Sequence, residues 1–587
     1  MTGAVLGVER SVSGRRWRPR LDDDRAAMAL AQRLDLPEAL ARVLAARGVT
    51  AETAGTFLDP RLRGLLPDPS VMADMDRAAD RLADAVEGGE TIGIFGDYDV
   101  DGATSSALLM HYLAAVGADA EVHIPDRQKE GYGPNIAALC ALRDRGAGPV
   151  VTVDCGISAF EPLRLAAEAG IEVIVLDHHM AEAGLPPACA VVNPNRLDDG
   201  SGLGALAAVG VTFVTIVALN RALRRRGWFA TRREPNLMQW LDLVALGTIC
   251  DSVPLTGLNR AFAAQGLRMM AHRGNTGLTA LSDVARIDQR PTAYHAGFVL
   301  GPRINAGGRI GAPDLGVRLL TATDKDEATG LALRLDELNT ERRAIEEAVR
   351  DAAIYAAERQ ADRSCIVVAG EGWHPGVIGI VASRVTERFN RPAFVIALGD
   401  GIGKGSGRSL AGVDLGGAVT AARQSDLLVN GGGHPMAAGL TVEEARLPAL
   451  AEFLDSRLAD QVAARPDVPE LGVDGALAVG AATGDLVGTV ERIGPFGVGN
   501  AEPRFAVMGG HIVRADLVGE NHVRCVVAGG DGSRLKAIAF RAAGQPIGEA
   551  LMARGGGALY LAGHLRMDRW KGNERIQLIV EDVAQAG

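Results

Sequence analysis

Three short apolar runs, each breaking off at an aspartate, restrict this chain more than any other feature. They are Thr91 to Gly96 (TIGIFG), Val150 to Cys155 (VVTVDC) and Glu172 to Leu176 (EVIVL), β-rich stretches separated by helical ones. Alternation of this kind predicts a parallel, doubly wound α/β sheet. Asp97, Asp99 and Asp101 follow the first run, Asp154 closes the second, and Asp177 follows the third. Open α/β sheets bind ligands outside the carboxyl ends of their strands, so these acids fall where chemistry is expected.

The rest of the chain is organised around that unit. At 587 residues it is too long for one core and should hold roughly three or four domains. Residues 1–75 read as an N-terminal extension with short helical patterns at Ala26 to Leu34 and Glu38 to Ala46. Residues 76–324 contain the strand–acid units and helical stretches at Val209 to Leu223 and Leu237 to Cys250. Residues 325–361 are rich in Leu, Ala, Glu and Arg and free of proline, which predicts one helix up to about 50 Å long linking two domains. An α/β pattern restarts over 362–465, and residues 466–587 carry short alternating runs between glycine turns, the pattern of a small β-barrel.

Composition narrows the class without naming a function. A hydrophobic fraction of 47% and a charged fraction of 23% are ordinary for globular proteins. The formal charge of -11 does not point to a nucleic-acid binder, although a local basic channel is compatible with an acidic whole. The six cysteines lack the short paired spacing of zinc sites and read as reduced core residues. With neither an apolar span nor a signal-peptide core, the expected location is the cytoplasm, away from membranes. Arg15, Arg16, Arg18 and Arg20 form a short basic run that reads either as a solvated tail or as a nucleic-acid contact.

In GDYDVDGATS, Asp97, Asp99 and Asp101 occupy alternate positions just past a strand, so their side chains can project to one side. Three carboxylates that close repel one another unless a cation neutralises them. This segment alone leaves open a solvated acidic turn, or an N-cap for a helix beginning near Ala103. Asp154, then Asp177, His178 and His179 in VLDHHM, add acids and imidazoles from neighbouring strand ends; imidazole with shared carboxylates suits manganese better than magnesium. Asp251 in TICDSVPL ends an apolar helix, where a carboxylate is unfavourable against the dipole unless a positive partner compensates. In GKGSGRS, Lys404, Ser406 and Arg408 among glycines could hold a terminal phosphate or form a flexible polar loop.

GDYDVDG, VDCG, LDHH and CDSVPL resemble the DHH phosphoesterases, and GGGHPMAAG resembles their companion DHHA1 domain; the motifs RINAGGRI and PFGVGNAEPRF are similar to the RecJ branch. That resemblance implies a two-metal centre, with Mn2+ preferred or Mg2+, held by Asp99, Asp101, Asp154, His178 and Asp251, Asp154 bridging. Asp97 would complete one ion's shell or orient a water; Asp177 would stand behind the ligands and fix His178's tautomer, and His179 would do likewise or meet the substrate. A metal-held water would attack a phosphodiester, and His434, in a Gly-rich turn of the second domain, would reach across and stabilise the developing charge. Ser406, Arg408 and Arg127 would bind a 5′-phosphate, and Arg303, Asn305 and Arg309, on a turn between domains, would contact the strand backbone.

The implied activity is 5′ to 3′ exonucleolytic hydrolysis of single-stranded DNA to mononucleotides, in repair and recombination. Its expected partners are single-stranded DNA, a single-strand-binding protein and a helicase, and it is expected to act as a monomer. The alternative is a DHH enzyme acting on oligoribonucleotides or cyclic dinucleotides. The C-terminal barrel is similar to an OB-type domain that would bind single strands through Phe540 and Trp570, with Arg534, Lys536, Arg569 and Lys571 nearby; Phe540 reads equally as a core residue.

Overall fold

The computed structural model describes residues 3–127, 129–466, 468–553, 557–568 and 574–586. The strand–acid units build a five-stranded, all-parallel sheet with the spatial order Ala120–His123, Thr91–Gly96, Ala147–Val153, Val173–Leu176, Ala190–Val192. Its two faces are both buried, which is why the strands read as nearly continuous apolar runs. Ile92, Ile94, Val151, Val153, Ile174 and Leu176 enter one core, while Phe95, Val150, Val173 and Val175 enter the other. The chain leaves Thr91–Gly96 for the edge strand on one side and returns to Ala147–Val153 on the other. Strand order therefore reverses between these two strands, and a crevice must open at their carboxyl ends.

The helix expected to begin near Ala103 instead begins at Val100 and runs to Val116. Helices Ala208–Arg225 and Leu241–Cys250 pack beside it. The linking helix spans Lys325–Ala357, capped by Asp324 through the Asp326 and Glu327 N–H groups, and a 3-10 turn at Glu358–Gln360 completes the expected stretch. Its first half buries Ala328, Leu331, Leu335 and Leu338 in the sheet domain, and its second half buries Val349, Ala353 and Ala357 in the next. That second domain has a mixed sheet in the order Asn430–His434, Ala437–Glu443, Ile402–Arg408, Ala393–Gly399, Ile366–Glu371. RINAGGRI lies on a helix, Gly301–Ile310, rather than the expected turn, and GGGH is a strand ending at His434 rather than a turn.

Five strands, Phe505–Val518, His522–Ala528, Arg534–Ala539, Arg575–Gln585 and Leu559–Asp568, close into a barrel through pairing of the first with the last. Phe540 is exposed, not core, and Arg534 and Lys536 alternate with buried Leu535 and Ala537; Arg569, Trp570 and Lys571 lie outside the described residues. The N-terminal segment packs on this barrel. Leu30, Leu40, Val43 and Leu44 share its core. The basic run is neither a tail nor a free surface: Arg16–Pro19 is a strand paired with Glu470–Val473, and Arg16, Arg18 and Arg20 meet Glu9, Glu470 and Asp474. Trp17 between them is fully buried, and its Nε1 donates to Asp582.

PFGVGN fastens the barrel to the sheet domain. The Leu255 N–H donates to Val498 O, the Asn500 amide donates to Ile493 O and Pro495 O, and Arg260 donates to Gly494 O. All six cysteines are free. Among the described residues, no helix is long and apolar enough to cross a membrane.

Candidate metal centre and phosphate pocket

Each acidic side chain is aimed by the element it terminates. Asp97 follows strand Thr91–Gly96, and Asp99 then caps the next helix, its Oδ1 accepting from the N–H groups of Asp101 (2.9 Å) and Gly102 (3.1 Å). Asp101 lies in the first helical turn, where its two oxygens accept from Ala208 N (2.7 Å) and Val209 N (2.9 Å) at the start of helix Ala208–Arg225. The three acids thus converge through a strand end, a cap and a helical turn, not through strand alternation. The turn demands a glycine at position 102, because a Cβ there would lie 2.4 Å from Asp97 O.

Asp154 stands at the end of the adjacent strand with φ of 62°, a left-handed conformation that costs a non-glycine residue free energy and persists here only because the surroundings impose it. His178 points its Nε2 between elements, 3.3 Å from Asp154 Oδ1, 3.7 Å from Asp251 Oδ2 and 4.0 Å from Asp101 Oδ2. Asp251 reaches this point from the C-cap of helix Leu241–Cys250. Asp177 holds the ring of His179 rather than that of His178. Its Oδ1 accepts from His179 Nδ1 at 2.7 Å and from both histidine N–H groups, and its Oδ2 accepts from Ile157 N. The tight turn after the strand brings the second imidazole, not the first, back over the carboxylate.

Electrostatics identify what the cluster lacks. Burial, then the neighbouring acid charges, pushes Asp101 and Asp154 well above the carboxylate range. Burial followed by Asp99 pushes Asp97 up to about 8 and Asp251 up to about 7. Burial, then His179, pushes His178 down to about 4, so its imidazole is neutral and available as a ligand. For His179, burial is overcome by the hydrogen bond and charge of Asp177, which raise it to about 9. Nε2 of His178, Oδ1 of Asp97 and Oδ2 of Asp251 are buried and, among the described residues, hydrogen-bond to nothing. Neutral imidazole with orphaned carboxylate oxygens is the donor set of a divalent cation, and three groups fit one: Asp97, Asp99, Asp154; Asp101, His178, Asp251; and Asp154, His178, His179, each with ligand atoms within 4.8 Å.

Beside this cluster lies a cavity of ≈ 390 Å³ between the two α/β domains, lined by Arg127, Arg309, Lys404, Ser406, Arg408 and several glycines. Arg309 is pushed down to about 10 by burial and then by the charges of Arg127 and Arg342; Arg408 is lowered by burial and then Arg127. Cations crowded together out of water call for an anion. Arg408 Nη1 donates to Ser406 Oγ at 3.1 Å, and a Cβ at Gly379 would approach both side chains to 3.1 Å, so the glycine leaves the space open. Tyr98, between two of the clustered aspartates, joins the two sites: Arg127 lies over its ring at 5.4 Å, and Gly308 packs against its backbone.

Not every candidate converges. Arg303 is turned away, with Nε donating to Asp336 Oδ1 on the linking helix at 2.8 Å and Nη1 to Val299 O, while Asn305 is half-buried on the same helix. His434 is exposed at the end of its strand, one residue beyond Gly433 of the cavity wall. Sequence reasoning missed Asn193 and Asn195, whose amides donate to His179 O and His178 O and so hold the histidine turn. Their signal was the VVNPN stretch, another strand end at the same sheet edge. It also missed Tyr132, whose hydroxyl lies 3.2 Å from Asp154 O and 3.3 Å from His179 Nδ1.

A parallel sheet with an Asp/His cluster at its switch point, joined by a long helix to a second α/β domain across a cationic cleft, defines a protein of the DHH class. Residues 91–248 match the DHH family N-terminal domain, 362–460 the DHHA1 domain and 473–582 the RecJ OB domain. The chain belongs to the RecJ family. It is 39% identical over 565 residues to the single-stranded-DNA-specific exonuclease RecJ of Dickeya dadantii, covering 93% of this chain and 96% of the relative. Similarity to the proteins of the same name from Escherichia coli (36%, covering 94% and 96%) and Bacillus subtilis (35%, covering 97% and 71%) is comparable. The fold is also similar to the crystal structure of Thermus thermophilus RecJ in complex with Mn2+, with a TM-score of 0.80 at 31% identity over 96% of this chain and 78% of that one. The Mg2+ complex of the same protein gives 0.75 at 30% identity, covering 96% and 77%.

Proposed function

We propose that this chain is a metal-dependent exonuclease that hydrolyses single-stranded DNA from the 5′ end and releases 5′-mononucleotides. The observation that carries the reading is adjacency: a cation-lined cavity sits one residue, Tyr98, from the carboxylate cluster. A terminal phosphate held there would set the first phosphodiester beside the cluster, which selects an end rather than an internal bond. Asp99, Asp101, Asp154, His178 and Asp251 would hold two ions, Mn2+ or Mg2+, which supply Lewis acidity and a lowered water pKa when bound. The RecJ structures containing these ions support the choice.

The protein's own groups then do the positioning. Asp101 ties the cluster to the start of helix Ala208–Arg225, and Asn193 and Asn195 fix the histidine turn. Asp97, with one oxygen unpartnered, can take a proton from a water beside the phosphate, and the Asp177–His179 pair can return one to the leaving oxygen. Arg127, Arg309, Ser406 and Arg408 would bind the terminal phosphate, and His434, one residue beyond the cavity wall, would meet the scissile one from across the cleft. Arg303 is a structural ion pair in this reading, and Asn305 is left as a backbone contact.

One chain carries both sites, so a monomer suffices. A formal charge of -11 makes capture of a polyanion sensitive to salt, which favours delivery by a helicase or a single-strand-binding protein. The test is digestion of an oligonucleotide labelled at either end, with Mn2+ and with chelator, by wild type and Asp154→Ala. The reading requires metal-dependent release of mononucleotides from the 5′ end that the substitution abolishes. Cleavage of dinucleotides alone would move the chain to the small-substrate DHH enzymes.

A further inference from the structure

Tyr294 and Phe298 stand in the open, 57% and 68% exposed, with rings stacked at 5.5 Å and 22°. Aromatics are only 4% of the chain, so two exposed rings stacked on each other are an uncommon use of them. Tyr294 precedes and Phe298 lies within a π-helical turn, His295–Leu300, a rare geometry often found at functional sites. The turn's inner face is fixed: Cys250 Sγ donates to Ala296 O at 3.4 Å, and Gly297 packs on Ile249, so the rings ride on the residues immediately before Asp251. Just past Asp251 the same segment holds the barrel's linker, the Leu255 N–H donating to Val498 O at 2.8 Å. The rings therefore stand on the segment that joins the metal cluster to the barrel.

We infer that Tyr294 and Phe298 form a base-stacking ledge that carries single-stranded DNA from the barrel to the cluster. The inference rests on the nuclease reading above. A nucleic-acid strand is the occupant the observations favour. It presents planar faces of the size of these rings, it must run between the two sites that the ledge separates, and stacking is indifferent to base identity, as an exonuclease requires. A protein partner would call for a broad apolar surround, whereas between the two rings lies His295, hydrogen-bonded to Gln289 and Thr292.

The test uses the full-length Tyr294→Ala/Phe298→Ala variant beside Tyr294→Phe/Phe298→Tyr, which keeps both rings. Affinity is read by fluorescence anisotropy in chelator, for oligonucleotides of about four and about twenty nucleotides, and hydrolysis of both is read with Mn2+. Loss of both rings should weaken binding of the long strand by about ten- to a hundredfold, leave binding of the short one unchanged, and be rescued by the ring-preserving variant. Equal binding of the long strand by wild type and the alanine variant would overturn the inference. So would parallel loss on both lengths, which would mean that the rings support the Asp251 loop instead. A wild type that neither binds nor cuts DNA would refute the nuclease reading itself, a result distinct from either.

Discussion

Replacing Asp251 by asparagine should stabilise the metal-free protein at alkaline pH, although it removes a carboxylate from the metal-ligand cluster. Burial and the charge of Asp99 raise this carboxyl from an ordinary 3.8 to about 7. A raised acid pKa means that the folded state resists ionisation. The penalty is absent below about pH 4, where the group is protonated folded or unfolded, grows as pH rises, and is complete above about 7. A gap of roughly three units at about 1.4 kcal/mol each gives on the order of 4 kcal/mol, part of it shared with Asp99, so the substitution should recover about 2–4 kcal/mol at pH 8. Divalent cation offsets that gain: at a thousand times Kd a bound ion stabilises wild type by about 4.1 kcal/mol, which the variant loses with its ligand. Urea unfolding followed by far-UV circular dichroism, at pH 5 and pH 8, in chelator and in Mn2+, reads all four conditions. An Asp251→Asn protein less stable than wild type in chelator at pH 8 would refute the picture of mutually repelling carboxylates waiting for a cation.

Arg408→Ala should weaken binding of 5′-phosphorylated oligonucleotides about ten- to a hundredfold while leaving 5′-hydroxyl ones nearly unchanged, since a charge-assisted phosphate contact is worth roughly 1.5–3 kcal/mol; equal loss on both would place the arginine elsewhere on the strand. In the barrel, burial of Glu581 is outweighed by its hydrogen bond and charge contact with His564 and by Arg504, which hold it down at about 2, and the same pair raises His564. The Glu581 contribution is present above its ordinary range near 4.5 and fades as pH falls toward 2; the His564 contribution is full below about 6.5 and fades as pH rises through its elevated value. The stability difference between wild type and Glu581→Gln should therefore peak between about pH 4.5 and 6.5 in thermal melts. Trp17→Ala, which empties a fully buried site and strips a donor from Asp582, should cost about 3–5 kcal/mol and expose the N-terminal segment to limited proteolysis without changing hydrolysis of a short oligonucleotide.

Where the sequence was readable, local physics left a local mark. A parallel strand buried on both faces must be apolar throughout, so an aspartate directly after TIGIFG or VVTV announces the end of a strand and the edge of a sheet. Asp251 was legible for the opposite reason: a carboxylate at the negative end of an apolar helix is unfavourable until something positive arrives. Residue types whose partners lie far along the chain gave no such sign. Arg303 and Arg309 share one motif and differ only in which way a helix turns them, toward Asp336 or into the cavity. The arginines at positions 16, 18 and 20 looked like a tail because their acids, apart from Glu9, lie some 450 residues away.

The sequence by itself determined the sheet, its acidic edge and the linking helix, because strand burial, helix propensity and the cost of clustered charge act over a few residues. Only the tertiary structure decided that Asp177 serves His179, that Asn193 and Asn195 hold the histidine turn, and that PFGVGN fastens the barrel beside Asp251. Those pairings depend on ångström-scale distances between separate elements, and such distances are fixed by how the layers pack rather than by any stretch of chain read alone.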